Sequence, residues 1–421
     1  MERQYKDSGI EWIGRIPEDW EVLQIRRIMR NRSERNQPDA MVLSLYRDLG
    51  IVPKNSRDDN HNVTSEDTAS YKVVSKGNFV INKMKAWQGS MAVSEYDGIV
   101  SPAYYVCNFT RDVHKKYIHY LLRDASYKPE YMRLSTGMRI GQWDLNIDDF
   151  LRIKAIIPPL AEQQRIADFL DEKCGEIDSL IGLQEQMIEK LKAYKQSVIT
   201  EAVTKGLNPN AKLVSSGIDW IGEIPDGWKV TRMKFLGTFQ NGLTYTPYDV
   251  CGSEGVLVLR SSNIQDSKLD FKDNVYVTHA PEDLMVEKGD IIICSRNGSA
   301  SLVGKCALVE GDIKNCSFGA FMVRFRSNLD QKFAYYLVST VIPQYKQLFT
   351  TTTINQLTKG MLSSMVGVLP SESEQQNIAS YLDGKCSEID NLIAVKQEKI
   401  EKLKDYKKSV IYEAVTGKTI L

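Results

Sequence analysis

The chain has 421 residues, of which 42% are hydrophobic and 26% are charged, which is enough for two globular cores and some extended helix. Its 54 basic and 54 acidic residues cancel, which argues against a protein that grips nucleic acid over its whole surface but permits local basic patches. No stretch has the apolar length of a membrane span, and the start lacks the apolar segment of a secretory signal, so we expect a cytoplasmic protein. The seven cysteines form no Cys-x-x-Cys pair, which argues against a zinc site.

The first predicted element belongs to a repeat that runs through the whole chain. Residues 8–17 read SGIEWIGRIP and residues 216–225 read SGIDWIGEIP. The Glu-Gln-Gln motif at 162–164 returns at 374–376, each time ahead of a long helical pattern. A period of about 210 residues is typical of a duplicated domain rather than of a solenoid repeat. The duplication predicts an internal pseudo-two-fold symmetry, which suits a target made of two parts.

A basic segment follows the first repeat motif. It comes after Trp20 and is opposed only by Glu21 and Glu34. Its arginines are Arg26, Arg27, Arg30, Arg32 and Arg35. The segment is either a solvated charged face or a set of contacts to nucleic-acid phosphates.

Short β-rich runs punctuated by glycines predict a mixed α/β domain in each half of the chain. The runs lie at 73–74, 79–81 and 99–106 in the first half, and at 256–259, 290–293 and 320–323 in the second half. Gly77 and Gly289 are predicted to form the same turn before a buried strand. Elsewhere the two sequences diverge, which indicates a common scaffold that carries two different binding surfaces.

Each half ends in a predicted long helix. After Pro158, apolar residues recur at steps of four and three from Leu170 to Ala202, and the same register returns from Leu382 to Ala414. A helix of about 40 residues is about 60 Å long and cannot stand alone with an exposed apolar stripe, so we expect an antiparallel coiled coil. The polar residues that interrupt the stripe, and so would fix its alignment, are Gln184, Lys195, Lys396 and Lys407. The alternative is that each helix packs only on its own domain.

No catalytic motif is recognisable in the sequence. The Ile157-Pro158-Pro159-Leu160 segment lacks the residues that an adenine methyltransferase places around its prolines, and no Walker A motif is complete. The four histidines have no metal-ligand spacing. Asp171-Glu172-Lys173 is similar to the end of a nuclease motif, but it lies on the helical pattern, where charged residues form the solvated face. We therefore expect no covalent chemistry, no cofactor and no metal.

Together these motifs resemble the specificity subunits of type I restriction-modification systems over nearly the whole chain. The resemblance is carried by the duplicated Gly-Ile-x-Trp-Ile-Gly-x-Ile-Pro motif and by residues 82–90, 98–104 and 158–166. It implies a mixed α+β fold with two α/β target-recognition domains in a pseudo-two-fold arrangement, separated by two long antiparallel helices that form a coiled coil. The implied boundaries are 1–157 and 209–369 for the two domains, and 158–208 and 370–421 for the two spacer helices.

The resemblance also implies a function and partners. Each domain would read one half of an asymmetric, interrupted site in double-stranded DNA, and the helices would set the gap between the halves. Two modification subunits that bind S-adenosylmethionine would methylate adenine, and restriction subunits would translocate and cleave. The chain itself would be non-catalytic and would have no membrane partner.

Candidate DNA contacts follow from side-chain chemistry, because arginine and lysine suit guanine, glutamine and asparagine suit adenine, and basic side chains suit phosphates. The candidates for phosphate contact are Arg26, Arg27 and Arg30. In the first domain the candidates for base contact are Arg47, Arg57, Lys83, Lys85, Gln88, Arg139 and Gln142. In the second domain they are Arg260, Asn263, Arg296, Asn297, Asn355 and Gln356. For each of them an ordinary loop role is an equal alternative.

Four tryptophans have structural interpretations. Trp87 and Trp143 either stack on bases or pack within their domain, and packing is favoured beside glycine turns. Trp12 and Trp220 recur in both halves and are interpreted as structural anchors or partner contacts. Two other functions remain as alternatives: a coiled-coil scaffold without a DNA role, and a nuclease or methyltransferase whose site is not recognised.

Overall fold

The computed structural model describes residues 3–47, 49–56, 68–139, 142–347 and 355–419. They form two compact units, each with its own hydrophobic core. Unit 1 comprises Met1–Glu185 and Gln397–Leu421, and unit 2 comprises Gln186–Lys396. Unit 1 is therefore built from both ends of the chain, whereas unit 2 is one continuous segment.

Unit 1 combines short strands with short helices. Its described strands are β1 (Tyr5–Asp7), β2 (Arg15–Pro17), β3 (Glu21–Gln24), β4 (Met29–Arg32), β5 (Leu43–Tyr46), β6 (Gly50–Pro53), β7 (Lys72–Val74), β8 (Phe79–Asn82), β9 (Met91–Val93), β10 (Gly98–Val100), β11 (Tyr104–Phe109), β12 (Ser135–Arg139), β13 (Gln142–Leu145) and β14 (Lys154–Ile157). Its described helices are α1 (Lys115–Arg123), α2 (Lys128–Leu134), α3 (Ile147–Arg152) and the first part of α4 (Leu160–Lys205).

Unit 2 continues from α4. Its described strands are β15 (Leu213–Ser215), β16 (Glu223–Pro225), β17 (Lys229–Arg232), β18 (Gly237–Asn241), β19 (Val250–Cys251), β20 (Val256–Leu259), β21 (Ile264–Gln265), β22 (Lys268–Leu269), β23 (Tyr276–Val277), β24 (Ile291–Cys294), β25 (Cys306–Leu308), β26 (Cys316–Phe318), β27 (Met322–Ser327) and β28 (Val366–Leu369). Its described helices are α5 (Gln331–Gln344), α6 (Lys359–Ser364) and α7 (Glu372–Val415), whose last part belongs to unit 1.

The two units share a topology. Each contains a four-stranded antiparallel sheet, with the order β4-β11-β8-β9 in unit 1 and β18-β27-β24-β25 in unit 2. The hairpin β1–β2 matches β15–β16, and the pair β3–β14 matches β17–β28. Beside this frame the units differ, because unit 2 has a second four-stranded sheet, β19-β23-β20-β26, and unit 1 has the pairs β5–β6 and β7–β10. The duplicated scaffold therefore carries different additions.

One glycine turn occurs in both units, as predicted. Gly77 and Gly289 have φ angles of +87° and +91°, which a side chain would strain. The backbone N–H of Gly77 donates to Ser94 at 2.7 Å, and that of Gly289 donates to Val309 at 2.8 Å. Each turn leads into an inner strand of the four-stranded sheet, β8 or β24.

The Glu-Gln-Gln motif fixes the start of each long helix to its unit. The indole N–H of Trp20 donates to Glu162 at 3.1 Å, and that of Trp228 donates to Glu374 at 3.0 Å. The neighbouring glutamines accept backbone N–H groups from the same unit, Gln163 from His114 at 2.8 Å and Gln375 from Asp330 at 3.0 Å. These hydrogen bonds give the motif a structural role in both copies.

Within each unit, segments of α4 and α7 pack against each other. In unit 1, Lys407 donates to Asp178 at 2.7 Å, while Leu170 shares a core with Ala414. Along α4, Asp178 comes after Leu170, whereas along α7 Lys407 comes before Ala414. The two segments therefore run antiparallel. In unit 2, Lys195 donates to Asp390 at 2.7 Å, and the residues around 199–203 share a core with those around 378–386.

The predicted apolar stripe is the packed face of both helices. Every stripe residue from Leu170 to Ala202 and from Leu382 to Ala414 is buried or half-buried. The predicted antiparallel coiled-coil packing is therefore confirmed within each unit, and the alternative that each helix packs only on its own domain is wrong. Among the described helices, none is long and apolar enough to cross a membrane.

Asp171 is exposed, as the charged-face interpretation predicts, and it also contacts its own unit. Asp171 accepts hydrogen bonds from the hydroxyl of Tyr120 at 2.8 Å and from the ammonium of Lys116 at 2.5 Å. The equivalent Asp383 accepts from the hydroxyl of Tyr336 at 2.8 Å. Both aspartates thus tie a long helix to its unit.

Candidate nucleic-acid interface

In each unit, part of the candidate set follows the equivalent inner strand of the four-stranded sheet, β8 or β24. Lys83 comes directly after β8, and Arg296 comes two residues after β24. In each unit a leucine donates its backbone N–H to this segment, Leu145 to Lys83 at 3.1 Å and Leu357 to Ser295 at 2.8 Å. The same backbone anchor therefore presents different side chains in the two units.

In unit 1 this segment forms a short 3-10 turn, Ala86–Gln88. Lys85 precedes the turn and is exposed, and Gly89 ends it with a φ of +82°. The guanidinium of Arg47 donates to the Gln88 amide oxygen at 3.4 Å, so the chain brings these two distant candidates together. The ammonium of Lys83 lies 3.5 Å from the carboxylate of Asp144.

The tryptophans near this turn pack on each other. The rings of Trp87 and Trp143 lie 5.2 Å apart in an edge-to-face arrangement, and the Trp87 indole N–H donates to the Met84 carbonyl at 3.2 Å. Trp12 packs edge-on against Tyr127 at 6.0 Å. In this structure all three rings contribute to internal packing.

The arginine segment after Trp20 lies at one edge of the sheet in unit 1. Arg26 and Arg27 belong to a single 3-10 turn, Ile25–Arg27, and Arg30 lies on the edge strand β4. All three side chains are exposed. Arg32 is paired with Glu34. The segment is accessible to a phosphate backbone, as its proposed role requires.

Three candidates of the first domain have no described side chain. Arg57 lies outside the described residues. Arg139 and Gln142 face each other in the register of the hairpin β12–β13, and their side chains also lie outside the described part.

In unit 2 a second group of candidates lies together. The guanidinium of Arg296 lies 5.2 Å from the ring centroid of Phe321, whose side chain is 57% exposed. Arg296 forms an isolated β-bridge with Gln356, next to the half-buried Asn355. The amide of Asn297 donates to the hydroxyl of Ser261 at 3.1 Å. The structure thus places an arginine, an exposed aromatic ring and amides at one strand end.

The prediction for Asn263 is wrong. Asn263 has 0% exposure, and its amide nitrogen donates to the carbonyls of Asp270 and Asp273 at 3.0 Å each. Its amide oxygen accepts the backbone N–H of Arg260 at 2.9 Å. A side chain that closes its own loop in this way cannot also reach a base edge. Arg260 is half-buried and ion-paired with Asp273 at 2.9 Å, so its free surface is small.

Two residues near the candidates were missed from the sequence. Lys128 begins α2 and lies against Gly89, but no local pattern links it to a turn so far away along the chain. Phe321 was assigned to the predicted strand 320–323. The strand begins at Met322 instead, which leaves an exposed aromatic residue just before it. The sequence signal that could have identified Phe321 was an aromatic residue at the boundary of a predicted strand.

Comparison with known proteins shows the family. Residues 17–193 and 225–405 match the family model described as the type I restriction modification DNA specificity domain. The type I restriction enzyme MjaVIII specificity subunit of Methanocaldococcus jannaschii is 26% identical over 425 residues, which cover 96% of this chain and 94% of that protein. The type I restriction enzyme EcoKI specificity subunit of Escherichia coli is 23% identical over 395 residues, which cover 88% and 78%.

A solved structure shares the fold. It concerns the complex assembly and conformational transition of the type I R-M system, and one of its chains has a TM-score of 0.70 with 17% identity over 96% of this chain and 99% of its own length. At that identity the likeness concerns the fold, whereas the two family matches cover most of this chain. The chain therefore belongs to the type I restriction-modification DNA specificity family, and its role is DNA recognition.

Proposed function

We propose that this chain reads a bipartite, asymmetric site in double-stranded DNA, one half with each unit, and directs partner subunits to methylate adenine or to cleave. One observation carries the proposal: equivalent strand ends present Lys83, Lys85 and Gln88 in unit 1 but Arg296 and Asn297 in unit 2. Different donors and acceptors at equivalent positions are what two different half-sites require. A DNA target also fits the predicted cytoplasmic location.

The long helices are proposed to set the gap between the half-sites. Helix α4 has 46 residues and α7 has 44, so each is about 65–70 Å long at 1.5 Å per residue. Half-sites one helical turn of DNA apart are separated by about 34–36 Å. Helices of this length are sufficient for a separation of that size.

Exposed apolar side chains on the helices support two modification subunits. In unit 1, Leu180, Leu183 and Tyr406 are 43% to 58% exposed. In unit 2 the repeat equivalents are Leu392, Val395 and Tyr194, which are 52% to 62% exposed. Apolar side chains that stay exposed at equivalent positions of a repeat fit a protein contact, and two copies of one surface fit two copies of one partner. Restriction subunits complete the proposed complex.

The partner surface is tested by single substitutions. Leu180→Glu and Leu392→Glu should each remove one of the two modification subunits, because a carboxylate in an apolar contact is costly. Native mass spectrometry of the reconstituted complex measures the stoichiometry. Ser179→Glu, at a neighbouring exposed position, is the control. Retention of both subunits in both variants would contradict the assigned surface.

The chain itself is proposed to be non-catalytic. The purified chain with S-adenosylmethionine should not methylate DNA, and addition of the modification subunits should yield methylated adenines. Mapping methylated adenines across a genome with and without this chain then shows whether it defines a bipartite target. Methylation by the chain alone would favour an unrecognised enzyme, and an unchanged map would favour a scaffold without a DNA role.

A further inference from the structure

Three basic side chains surround the Ala86–Gln88 turn of unit 1. Lys85 precedes the turn and is exposed, and Arg47 is exposed and donates to Gln88 at 3.4 Å. Lys128 lies against Gly89, where a Cβ would come within 3.2 Å of the lysine Cε. The glycine therefore allows the lysine stem to pass close to the turn, so that three basic residues lie at or beside the turn that carries Gln88.

The charge of Lys128 has little compensation. No hydrogen bond or ion pair joins its ammonium to another residue in the part of the chain that the structure describes. Burial, followed by the positive charges of Arg47 and Lys408, lowers the pKa of Lys128, and Asp124 acts in the opposite direction. A half-buried cation among like charges is unfavourable until an anion binds beside it.

Unit 2 lacks this combination of cations among its described residues. Arg260 follows β20 as Arg47 follows β5, but its guanidinium is ion-paired with Asp273 at 2.9 Å. In the register set by the two glycine turns and the two leucine anchors, Asn297 occupies the position of Lys85. In the register of the equivalent pairs Tyr120–Asp171 and Tyr336–Asp383, the exposed Gln344 occupies the position of Lys128. In the repeat of the long helices, Gln196 occupies the position of Lys408. The cationic site is therefore an addition to the shared scaffold.

We propose that Arg47, Lys85 and Lys128 bind the phosphate backbone of DNA beside Gln88, and that unit 1 thereby supplies a salt-dependent anchor that unit 2 lacks. The inference rests on the proposed function. Arg47 has a second role as a positioning residue, because its guanidinium holds the Gln88 amide. Lys128 contributes only to the backbone contact, which carries no sequence information.

The test measures how DNA affinity depends on salt. The complex of the full chain with its modification subunits is titrated with two duplexes from 50 to 200 mM NaCl. One duplex carries the target sequence found by methylated-adenine mapping, and the other is unrelated. Loss of one phosphate contact makes the slope of log K against log salt shallower by about 0.9. The factor by which salt weakens binding over this range should therefore be about 3.5 times smaller in the variant than in the wild type. We expect this change for Lys128→Gln, equally on both duplexes, and recovery in Lys128→Arg.

Two further variants separate the roles. Arg47→Gln should lower the slope and also relax discrimination at one base pair, because Gln88 loses its support. Lys76→Gln is the control, since Lys76 is exposed in the same unit and lies 3.5 Å from Glu95. Its slope should equal that of the wild type.

An unchanged slope in Lys128→Gln, with a wild-type complex that prefers its target, would overturn this inference and leave the proposed function intact. A wild-type complex without any preference would overturn the proposed function instead. If Lys128→Gln lowers the melting temperature so far that it cannot be titrated, Lys85→Gln at the exposed position gives the same test of the slope.

Discussion

His119 lies on α1 in unit 1, and its Nδ1 accepts the backbone N–H of Val93 at 3.2 Å. Burial, followed by the charge of Arg123, lowers the pKa of His119 to about 3. In the unfolded chain, His119 therefore binds a proton when the pH falls below its ordinary pKa of about 6.5, whereas in the folded chain it does not. The contribution of His119 to the free energy of unfolding is therefore fully present above a pH of about 6.5 and is lost as the pH falls below it.

The expected effect is a loss of about 2 kcal/mol in the free energy of unfolding of unit 1 between pH 7 and pH 5. His119→Gln should remove that part of the pH dependence, because its amide oxygen can accept the same N–H. Urea unfolding of the full chain at both pH values measures the difference. His279→Gln, at an exposed position in unit 2, is the control. Equal pH dependence in wild type and His119→Gln would contradict the prediction.

For single residues, the location of the candidate polar residues could be predicted from the sequence better than the role of each one. Lys85 and Gln88 could be selected because their types suit DNA and they follow a β-rich run. Asn263 has an equally suitable type, but the loop around it folds back and uses its whole amide. Lys128 reaches the turn only through the tertiary packing of α2, which no local pattern reports. Side-chain roles depend on contacts distant along the chain.

At the scale of elements, the two glycine turns are stabilised by different chemistry. In unit 1, the Asn78 amide donates to Asn108 at 2.9 Å. In unit 2, Asp290 is 1% exposed and accepts from the guanidinium of Arg326 at 2.7 Å, which raises the pKa of Arg326. A neutral pair thus supports β8, whereas an ion pair supports β24.

Asp290→Asn should therefore destabilise unit 2 more than Asn78→Ala destabilises unit 1. Removing one partner of a buried ion pair costs roughly 3–5 kcal/mol, and the partial exposure of Arg326 favours the lower end. Removing the neutral hydrogen bond costs about 1 kcal/mol. Hydrogen exchange of β24 and β8 in the full chain measures the two losses. Similar losses would show that the charge adds nothing.

The helix pair makes a prediction about the DNA gap. The position five residues before Lys195 lies opposite the position five residues after Asp390, because Lys195 and Asp390 are paired in antiparallel segments. One heptad inserted between Glu189 and Lys190, with another between Val395 and Lys396, should lengthen the gap by about 10 Å. That length corresponds to about three base pairs.

Methylated-adenine mapping of the insertion variant measures both the gap and the half-sites. The half-site sequences should not change, because neither reading surface is altered. A seven-residue insertion between Asn208 and Pro209, in the loop after α4, is the control and should leave the gap as it was. An unchanged gap in the helix variant would contradict the spacing role.

The heptad stripe could be predicted because period and register are local properties of a sequence. Lys195 and Lys407 were recognised as polar interruptions, but their partners Asp390 and Asp178 were not. Those aspartates lie beside the stripe rather than on it, and only the axial alignment of the helices determines which lysine they meet. The alignment is a tertiary property.

The core of unit 1 includes the last residues of the chain. Ala414 and Val415 lie in its core, the hydroxyl of Tyr5 donates to the Gly417 carbonyl at 3.3 Å, and Lys418 donates to the Ile13 carbonyl at 2.9 Å. Unit 2 ends at Lys396. Loss of the last segment should therefore affect only one unit.

A chain that ends at Lys396 should lose at least about 3 kcal/mol from unit 1, because the apolar surface that the last segment covers becomes exposed. Amide exchange in β8 and β11 should accelerate about a hundredfold, while β24 and β27 should keep their protection. A chain that ends at Thr419 is the control. Equal loss of protection in both units would contradict the assignment of residues 397–421 to unit 1.

The order of synthesis follows from this division. Translation completes unit 2 while the core of unit 1 still lacks its closing helical segment. At about 5–20 residues per second, the first-made half waits on the order of tens of seconds for that segment. The half that leaves the ribosome first is thus the last to mature, and during the delay it is the part that a chaperone would bind.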